Sequence, residues 1–385
     1  MRILQLVSSL TVGGAEQIVL SLAERINSFQ FAPYVCSLSV IRQNSLQPEL
    51  ERLGVPLLSL NSRQFYNLHT IRQVEQYVRA EQIDVIHTHL TDADIVGRIV
   101  GWRQKIPVLS TMHNMPHNYA RQRWDRYWLE RLTARYLATH LVAVSPRIRE
   151  LYIDEWGIPA RRISAINNSV RMEPFLAVPE SVPTEREFGG PVITNVARFN
   201  PQKAQHILLE AAHIIVQKIP TVRFVLVGKG HLEEKLRQQA RDLGIHDNVV
   251  FTGVRHDIPH ILGQSDIFVL SSLWEGVPLS VIEAMAAARP VVVTNVGGNP
   301  ELVESGQTGL VVPANSVIAL VEALLTLLQD EPRRLALGRL ARQRVQRLFS
   351  MERFIQQYET LYRRLGEAGY AALGEIRLPV QPGGH

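Results

Sequence analysis

Short apolar or β-branched runs alternate with helix-spaced apolar patterns along most of this chain, and they do so in two successive sets. The first set includes Ile3 to Val7, Tyr34 to Val40, Val85 to His87, Val108 to Thr111 and Leu141 to Val144. The second includes Val192 to Ala197, Arg223 to Val227, Val249 to Phe251, Ile267 to Leu270 and Val291 to Val293. Such alternation is the signature of open parallel sheets covered by helices on both faces, so the chain is expected to be α/β, with two Rossmann-like domains facing one another across a cleft. The domains are placed at residues 1–172 and 191–350. Residues 173–190, rich in proline, charge and glycine and poor in periodicity, read as the linker. A helical pattern over 351–366 follows the second domain, and the tail 367–385 reads as loose.

Composition narrows the class. A chain of 385 residues, 46% apolar, exceeds what one core usually organises. The single cysteine, Cys36, excludes an internal disulfide and metal sites built from several thiolates, which makes the reducing cytoplasm the expected compartment. No apolar run approaches the length of a bilayer span, and MRILQLVSSL is too short for a signal peptide. Residues 1–171 carry 20 Lys and Arg against 14 Asp and Glu, so the net charge of +5 belongs to the first half.

Open parallel sheets bind ligands at the carboxyl ends of their strands. The most informative segment is WEGVPLSVIEAMAAARPVVVTNVGGNPEL, from Trp274 to Leu302. Pro278 pre-sets the backbone for a first helical turn, and Leu279, Ile282, Met285 and Ala286 recur at helical spacing. A helix start offers free N–H groups and a positive dipole end, suited to a diphosphate. Glu275 precedes that start and Glu283 lies on its second turn. Gly297-Gly298, after the apolar run Pro290 to Val293, allows close backbone approach to a ligand.

Two glutamates separated by seven residues in EGVPLSVIEAMAAARPVV resemble the hallmark of family 4 of the retaining, sugar-nucleotide-dependent glycosyltransferases, enzymes of GT-B fold. The resemblance spans nearly the whole chain and is stronger after residue 190. It implies a nucleotide-diphosphate sugar as co-substrate, a UDP-sugar rather than a GDP-sugar, and no metal or other cofactor. Glu283 would then accept hydrogen bonds from ribose hydroxyls, and Glu275 would face the donor sugar. The backbone of Gly276, Val277, Pro278 and Leu279 would hold sugar and phosphate. In RFNPQKAQHILLEAA, Arg198 and Lys203 match the family's arginine and lysine on the donor diphosphate, where negative charge grows as the sugar bond breaks. Ala204, Ala288 and Ser169 stand where the family favours glycine. The C-terminal helical pattern is implied to cross back onto the first domain.

The first half supplies SSLTVGGAEQIV, in which Gly14 joins the first strand to a helix and can approach a donor phosphate. The dinucleotide fingerprint G-x-G-x-x-G is absent, which argues against a nicotinamide oxidoreductase. Gly228-Lys229-Gly230 is no more than a strand-to-helix turn signal. His113 matches a family histidine near the donor sugar. Arg198, Lys203, Glu275 and His113 are therefore the catalytic candidates, and His89, Asn114 and His117 are candidate acceptor contacts. His87 and His140 read as structural. Asp92 and Asp94 form D-x-D, a metal-holding pattern in another glycosyltransferase fold. Here it opens a helix, where N-capping by Thr91 or Asp92 explains it.

The segment ARQRWDRYWLERLTARYLA interleaves Arg121, Arg123, Arg126, Arg131 and Arg135 with Trp124, Tyr127, Trp128 and Tyr136. It fits docking of residues 120–136 on an anionic membrane surface, or a helix that buries Trp128, Leu132 and Tyr136. Nucleic acid is not expected. The expected activity is transfer of a sugar to a polysaccharide, lipid-linked oligosaccharide or glycolipid acceptor, at the cytoplasmic membrane face. The alternatives are a sugar-nucleotide epimerase of the same fold and a non-catalytic sugar-nucleotide binder.

Overall fold

The computed structural model describes residues 1–11, 13–41, 45–62, 67–113, 124–169 and 171–370. They form two compact units: residues 1–168 together with the segment from Met351 onward, and residues 169–350.

The first unit holds a seven-stranded sheet of β1 (Arg2–Val7), β2 (Ala32–Ser37), β3 (Leu57–Ser59), β4 (Val85–His89), β5 (Val108–Met112), β6 (His140–Ala143) and β7 (Ile163–Ala165), in the order β3-β2-β1-β4-β5-β6-β7. The second holds six strands, β8 (Val192–Val196), β9 (Arg223–Val227), β10 (Val249–Gly253), β11 (Ile267–Leu270), β12 (Val291–Thr294) and β13 (Gly309–Val312), in the order β10-β9-β8-β11-β12-β13. Every pairing is parallel. Central strands such as β4, β5, β11 and β12 are buried along their whole length; β11 is apolar throughout and β12 up to Thr294, whereas β4 and β5 also bury His87, Thr88, His89, Ser110 and Thr111. Both units are thus Rossmann-like parallel sheets.

In the first unit the sheet carries one cluster built on Leu4, Leu6, Ile86, Val96 and Val108, and another built on Ile3, Val85, Leu109 and Val142. The second cluster is completed by the final helix, Met351–Ala368, through Phe354, Tyr358, Leu361, Tyr362 and Leu365. Those residues recur three or four apart, and each large side chain so buried contributes roughly 1.5–3 kcal/mol.

Side chains of the second unit hold residues 173–190, which the sequence reads as the linker. Arg342 donates to Ala286 O at 2.8 Å and to Val178 O at 2.6 Å, Arg289 donates to Pro179 O, and Arg186 pairs with Asp266. The segment opens with a short helix, Glu173–Leu176. Next, neither Thr91 nor Asp92 caps its helix. The cap position is Leu90, at φ +72, and the helix runs Thr91–Gln104 with both aspartates in its first turn. Each aspartate meets an arginine: Asp92 meets Arg126 at 2.9 Å and Asp94 meets Arg98 at 3.8 Å.

Finally, the helix Trp124–Tyr136 buries Glu130, Thr133 and Ala134 and leaves Trp124, Trp128, Leu132 and Tyr136 at 77%, 37%, 48% and 61% exposure. These four face outward while Glu130 is turned inward to the fully buried Arg98, Nη1 to Oε1 at 2.9 Å, and Tyr127 packs on the buried Trp156. A buried guanidinium without a carboxylate would be far costlier than a few exposed rings. Arg121 and Arg123 lie outside the described residues.

Candidate active site

In the second unit, β8 leads into a loop carrying exposed Arg198, then a short 3-10 turn, Pro201–Lys203, and a helix, Gln205–Lys218. Asn200 caps the turn by accepting from Lys203 N at 3.2 Å. β11 ends at Leu270, and the following loop brings Ser272 and Glu275 back over that turn. Lys203 Nζ pairs with Glu275 Oε1, Ser272 Oγ donates to the same oxygen at 2.5 Å, and Gln202 Nε2 reaches Oε2 at 3.4 Å. Backbone bonds tie the two loops as well: Leu273 N donates to Gln202 O at 2.8 Å. Sequence reasoning had Lys203 and Glu275 on different parts of a donor, whereas the structure brings them onto each other. It also missed Ser272 and Gln202. Ser272 follows the end of β11, where functional side chains gather, and that position was the available signal.

The helix Leu279–Ala286 starts directly after this loop, with Pro278 as its N-cap residue. Val281 N donates to Pro278 O at 3.2 Å within its first turn, and a helix start leaves its other leading N–H groups without intrahelical partners. Gly297 and Gly298 do approach backbone closely, but the backbone is the protein's own. Gly297 has φ +55 and a Cβ there would meet Glu275 O at 2.1 Å, while Gly298 N donates to Gly276 O at 2.8 Å. These glycines clamp the Glu275 loop. Ala204 and Ala288, where the family favours glycine, both take left-handed backbone, φ +48 and +55. That conformation costs a non-glycine residue roughly 1–2 kcal/mol.

The two glutamates differ in state. Glu275 is buried and accepts from Lys203, Ser272 and Gln202. The carboxylate of Glu283, which is partly buried, makes no hydrogen bond or ion pair among the described residues, and it is pushed up from 4.5 to about 7 by burial alone. An acceptor-only group in that position is short of donors.

In the first unit, His113 follows β5 and Gly14 opens the helix Gly14–Arg25, with Gly13 as its cap. His113 is partly buried, and burial lowers its pKa to about 4, so the ring is neutral. Its Nε2 lies 3.2 Å from His89 Nδ1. His89 is corrected as an acceptor contact: the ring is fully buried and both nitrogens are engaged, Nε2 with Gln5 Oε1 at 2.8 Å. His87 is likewise buried between Tyr362 and Thr111, and His140 bonds Ser164 at 2.8 Å. Asn114 and His117 lie outside the described residues.

Two family models match the chain, Glycosyltransferase Family 4 over residues 12–173 and Glycosyl transferases group 1 over residues 181–344. The chain is 29% identical to the Escherichia coli UDP-Gal:α-D-GlcNAc-diphosphoundecaprenol α-1,3-galactosyltransferase, across 83% of this chain and 86% of the relative. It is 34% identical to a GDP-mannose-dependent α-(1-6)-phosphatidylinositol monomannoside mannosyltransferase of Mycobacterium tuberculosis, across 40% of this chain and 42% of the relative. Among solved structures, Anabaena HepE in complex with UDP-glucose superposes with a TM-score of 0.82 at 24% identity, covering 94% of this chain and all of that one. Two parallel Rossmann-like sheets, the glutamate pair set around a helix start, and family matches to both units agree: the chain belongs to glycosyltransferase family 4 and has the GT-B fold.

Proposed function

We propose that this glycosyltransferase moves a sugar from a UDP-sugar to a lipid-linked saccharide acceptor, with retention of anomeric configuration and without a metal ion. The observation that carries the donor reading is Glu283, a partly buried carboxylate without a partner among the described residues, on the second turn of a helix whose N-cap, Pro278, lies three residues after Glu275, itself paired with Lys203. Ribose hydroxyls supply the donors that Glu283 lacks. Arg198, Lys203 and the N–H groups around Gly276 to Leu279 meet the diphosphate, Glu275 orients the sugar, and Gly14 and His113 contribute from the first domain. The base is read as uracil because both the E. coli relative and the HepE complex carry UDP in their names.

In this scheme the bond from the sugar's anomeric carbon to the phosphate oxygen breaks as the acceptor oxygen bonds to that carbon on the same face. The acceptor's proton passes to the departing phosphate oxygen. Negative charge grows on the diphosphate, and fixed positive groups are worth most there. No enzymic nucleophile is needed. Incubation with UDP-galactose and a polyprenyl-diphosphate GlcNAc in EDTA, with the product read by NMR, is expected to give an α-linked disaccharide at an undiminished rate. A β-linked product, or a strict need for added magnesium, contradicts the proposal.

The acceptor reading includes a docking surface. Trp124, Trp128, Leu132 and Tyr136 stand exposed along the helix Trp124–Tyr136, with the Arg131 guanidinium 5.1 Å over Trp128 and that of Arg135 5.7 Å over Tyr136. Rings and arginines interleaved in this way suit an anionic lipid surface, where each cation is worth about 1 kcal/mol. Sedimentation with phosphatidylglycerol vesicles at low salt is expected to carry down the wild-type chain, and to carry down at least about tenfold less of a Trp124→Ser/Trp128→Ser/Arg131→Gln variant. Wild-type protein left wholly in the supernatant removes the membrane part and leaves the transferase part standing. Among the described residues no helix is long and apolar enough to cross a membrane.

A further inference from the structure

His113 stands at one end of a hydrogen-bonded chain that runs through the buried middle of the first unit to the final helix. Tyr362 OH accepts from Gln5 Nε2 at 3.0 Å, Gln5 Oε1 meets His89 Nε2 at 2.8 Å, and His89 Nδ1 meets His113 Nε2 at 3.2 Å. On its other side, Tyr362 OH lies 2.6 Å from His87 Nδ1, and His87 Nε2 lies 2.7 Å from Thr111 Oγ1. Burial holds His87 and His89 well below the ordinary histidine range, so each ring, like that of His113, carries one proton.

Proton positions then follow in sequence. An amide oxygen only accepts, so His89 carries its proton on Nε2 and leaves Nδ1 bare. A bare Nδ1 needs a donor, which His113 Nε2–H supplies. The remaining nitrogen of His113, Nδ1, is left with a lone pair and makes no hydrogen bond among the described residues. At the far end, a tyrosine hydroxyl that accepts from Gln5 spends its single proton on His87 Nδ1, and His87 Nε2–H passes to Thr111. This polarity satisfies every group in the chain, and it follows from the Gln5 amide lying with Nε2 toward Tyr362 and Oε1 toward His89; turning that amide over would reverse it.

We propose that Gln5, His89 and Tyr362 are positioning residues that lock His113 in the Nε2–H tautomer, so that Nδ1 accepts from a sugar hydroxyl and does not donate to a phosphate oxygen. The proposal rests on the reading of His113 as a donor-site residue. It narrows that reading, since a histidine of the opposite tautomer would serve the diphosphate instead. The final helix thereby reaches the substrate through Tyr362, whose sequence separation from Gln5 is 357 residues.

The test is two-dimensional NMR of protein labelled with nitrogen-15 histidine, combined with kinetics on UDP-galactose. Wild-type His89 and His113 are expected as Nε2–H tautomers; an Nδ1–H pattern at His113 overturns the proposal whatever any variant does. Tyr362→Phe keeps the ring and frees the Gln5 amide to rotate. It is expected to give mixed tautomers at His113 and to raise KM for UDP-galactose about tenfold, the cost of roughly one such hydrogen bond, with inhibition by UDP unchanged. A variant that keeps the pure Nε2–H signature overturns the role of Tyr362. If His113→Ala weakens UDP itself as much as UDP-galactose, the hydroxyl assignment is wrong. If it changes neither, the donor-site reading of His113 fails, and the wild-type spectrum still reports separately on the relay.

Discussion

Glu283→Gln is expected to make the protein more stable without ligand while weakening its binding of UDP. Burial raises this carboxyl from 4.5 to about 7, so the folded state holds the proton more tightly than the unfolded chain does. The ionised carboxylate therefore costs the fold stability. That cost is absent below about pH 4.5, grows through the window from 4.5 to 7, and is fully present above it. A rise of this size corresponds to at most about 3 kcal/mol, and partial exposure of the side chain reduces it to about 1–3 kcal/mol. Glutamine has nearly the same shape and no charge to desolvate. At pH 8 its apo form should melt a few degrees higher than wild type, and at pH 4 the two should coincide, as differential scanning calorimetry would read. With UDP the order reverses, because charge-assisted bonds to two hydroxyls are lost, about tenfold to a hundredfold in affinity. Unchanged affinity, or a variant less stable at pH 8, would remove the ribose role.

The largest stability loss is expected from Arg98→Met. Arg98 is fully buried between the helices Thr91–Gln104 and Trp124–Tyr136, donating to Glu130 Oε1 at 2.9 Å, to Ser110 Oγ at 2.9 Å and to Thr133 Oγ1 at 3.3 Å, with Asp94 3.8 Å away. Burial already pushes Asp94 to about 6 and Glu130 to about 8, against the pull of this guanidinium. Methionine fills much of the volume but strands two buried carboxyls, which costs about 3–5 kcal/mol. Without the cation both acids rise further, so the deficit widens as pH rises from about 4 upward. Adding Asp94→Asn and Glu130→Gln is expected to restore at least half of it, since the stranded charges are then gone. Urea unfolding at pH 5 and pH 8 reads both effects. A single Arg98→Met loss below about 1 kcal/mol would mean that this cluster does not hold the two helices together.

How much of this was legible in the sequence depends on the range of the interaction that decides it. The strand runs, the helix start at Pro278 and the glutamate pair are local patterns, and local chemistry specifies them. Lys203 on Glu275 was not legible, because the contact joins residues 72 apart and each side chain alone suits one part of a donor, the lysine a phosphate and the glutamate a sugar hydroxyl. The helix Trp124–Tyr136 was ambiguous for a related reason. Its rings make a plausible core face, and only Arg98, distant in sequence, turns Glu130 inward. β3 and β7, three residues each, fall below the length at which a period can be seen. Gly297 and Gly298 were read as touching a ligand because a glycine pair signals close approach without saying to what; the partner is the Glu275 loop. The relay from Tyr362 to His113 crosses the chain from end to end and leaves no mark in any window.

The most direct test of the central claim is calorimetric titration of the purified chain with UDP, GDP, ADP and NAD, in magnesium and again in EDTA, for wild type and Glu283→Gln. The account predicts binding of UDP in preference to the others, indifferent to EDTA and weakened in the variant. Binding of NAD alone, binding of UDP only with magnesium, or equal UDP affinity in the two proteins would contradict it.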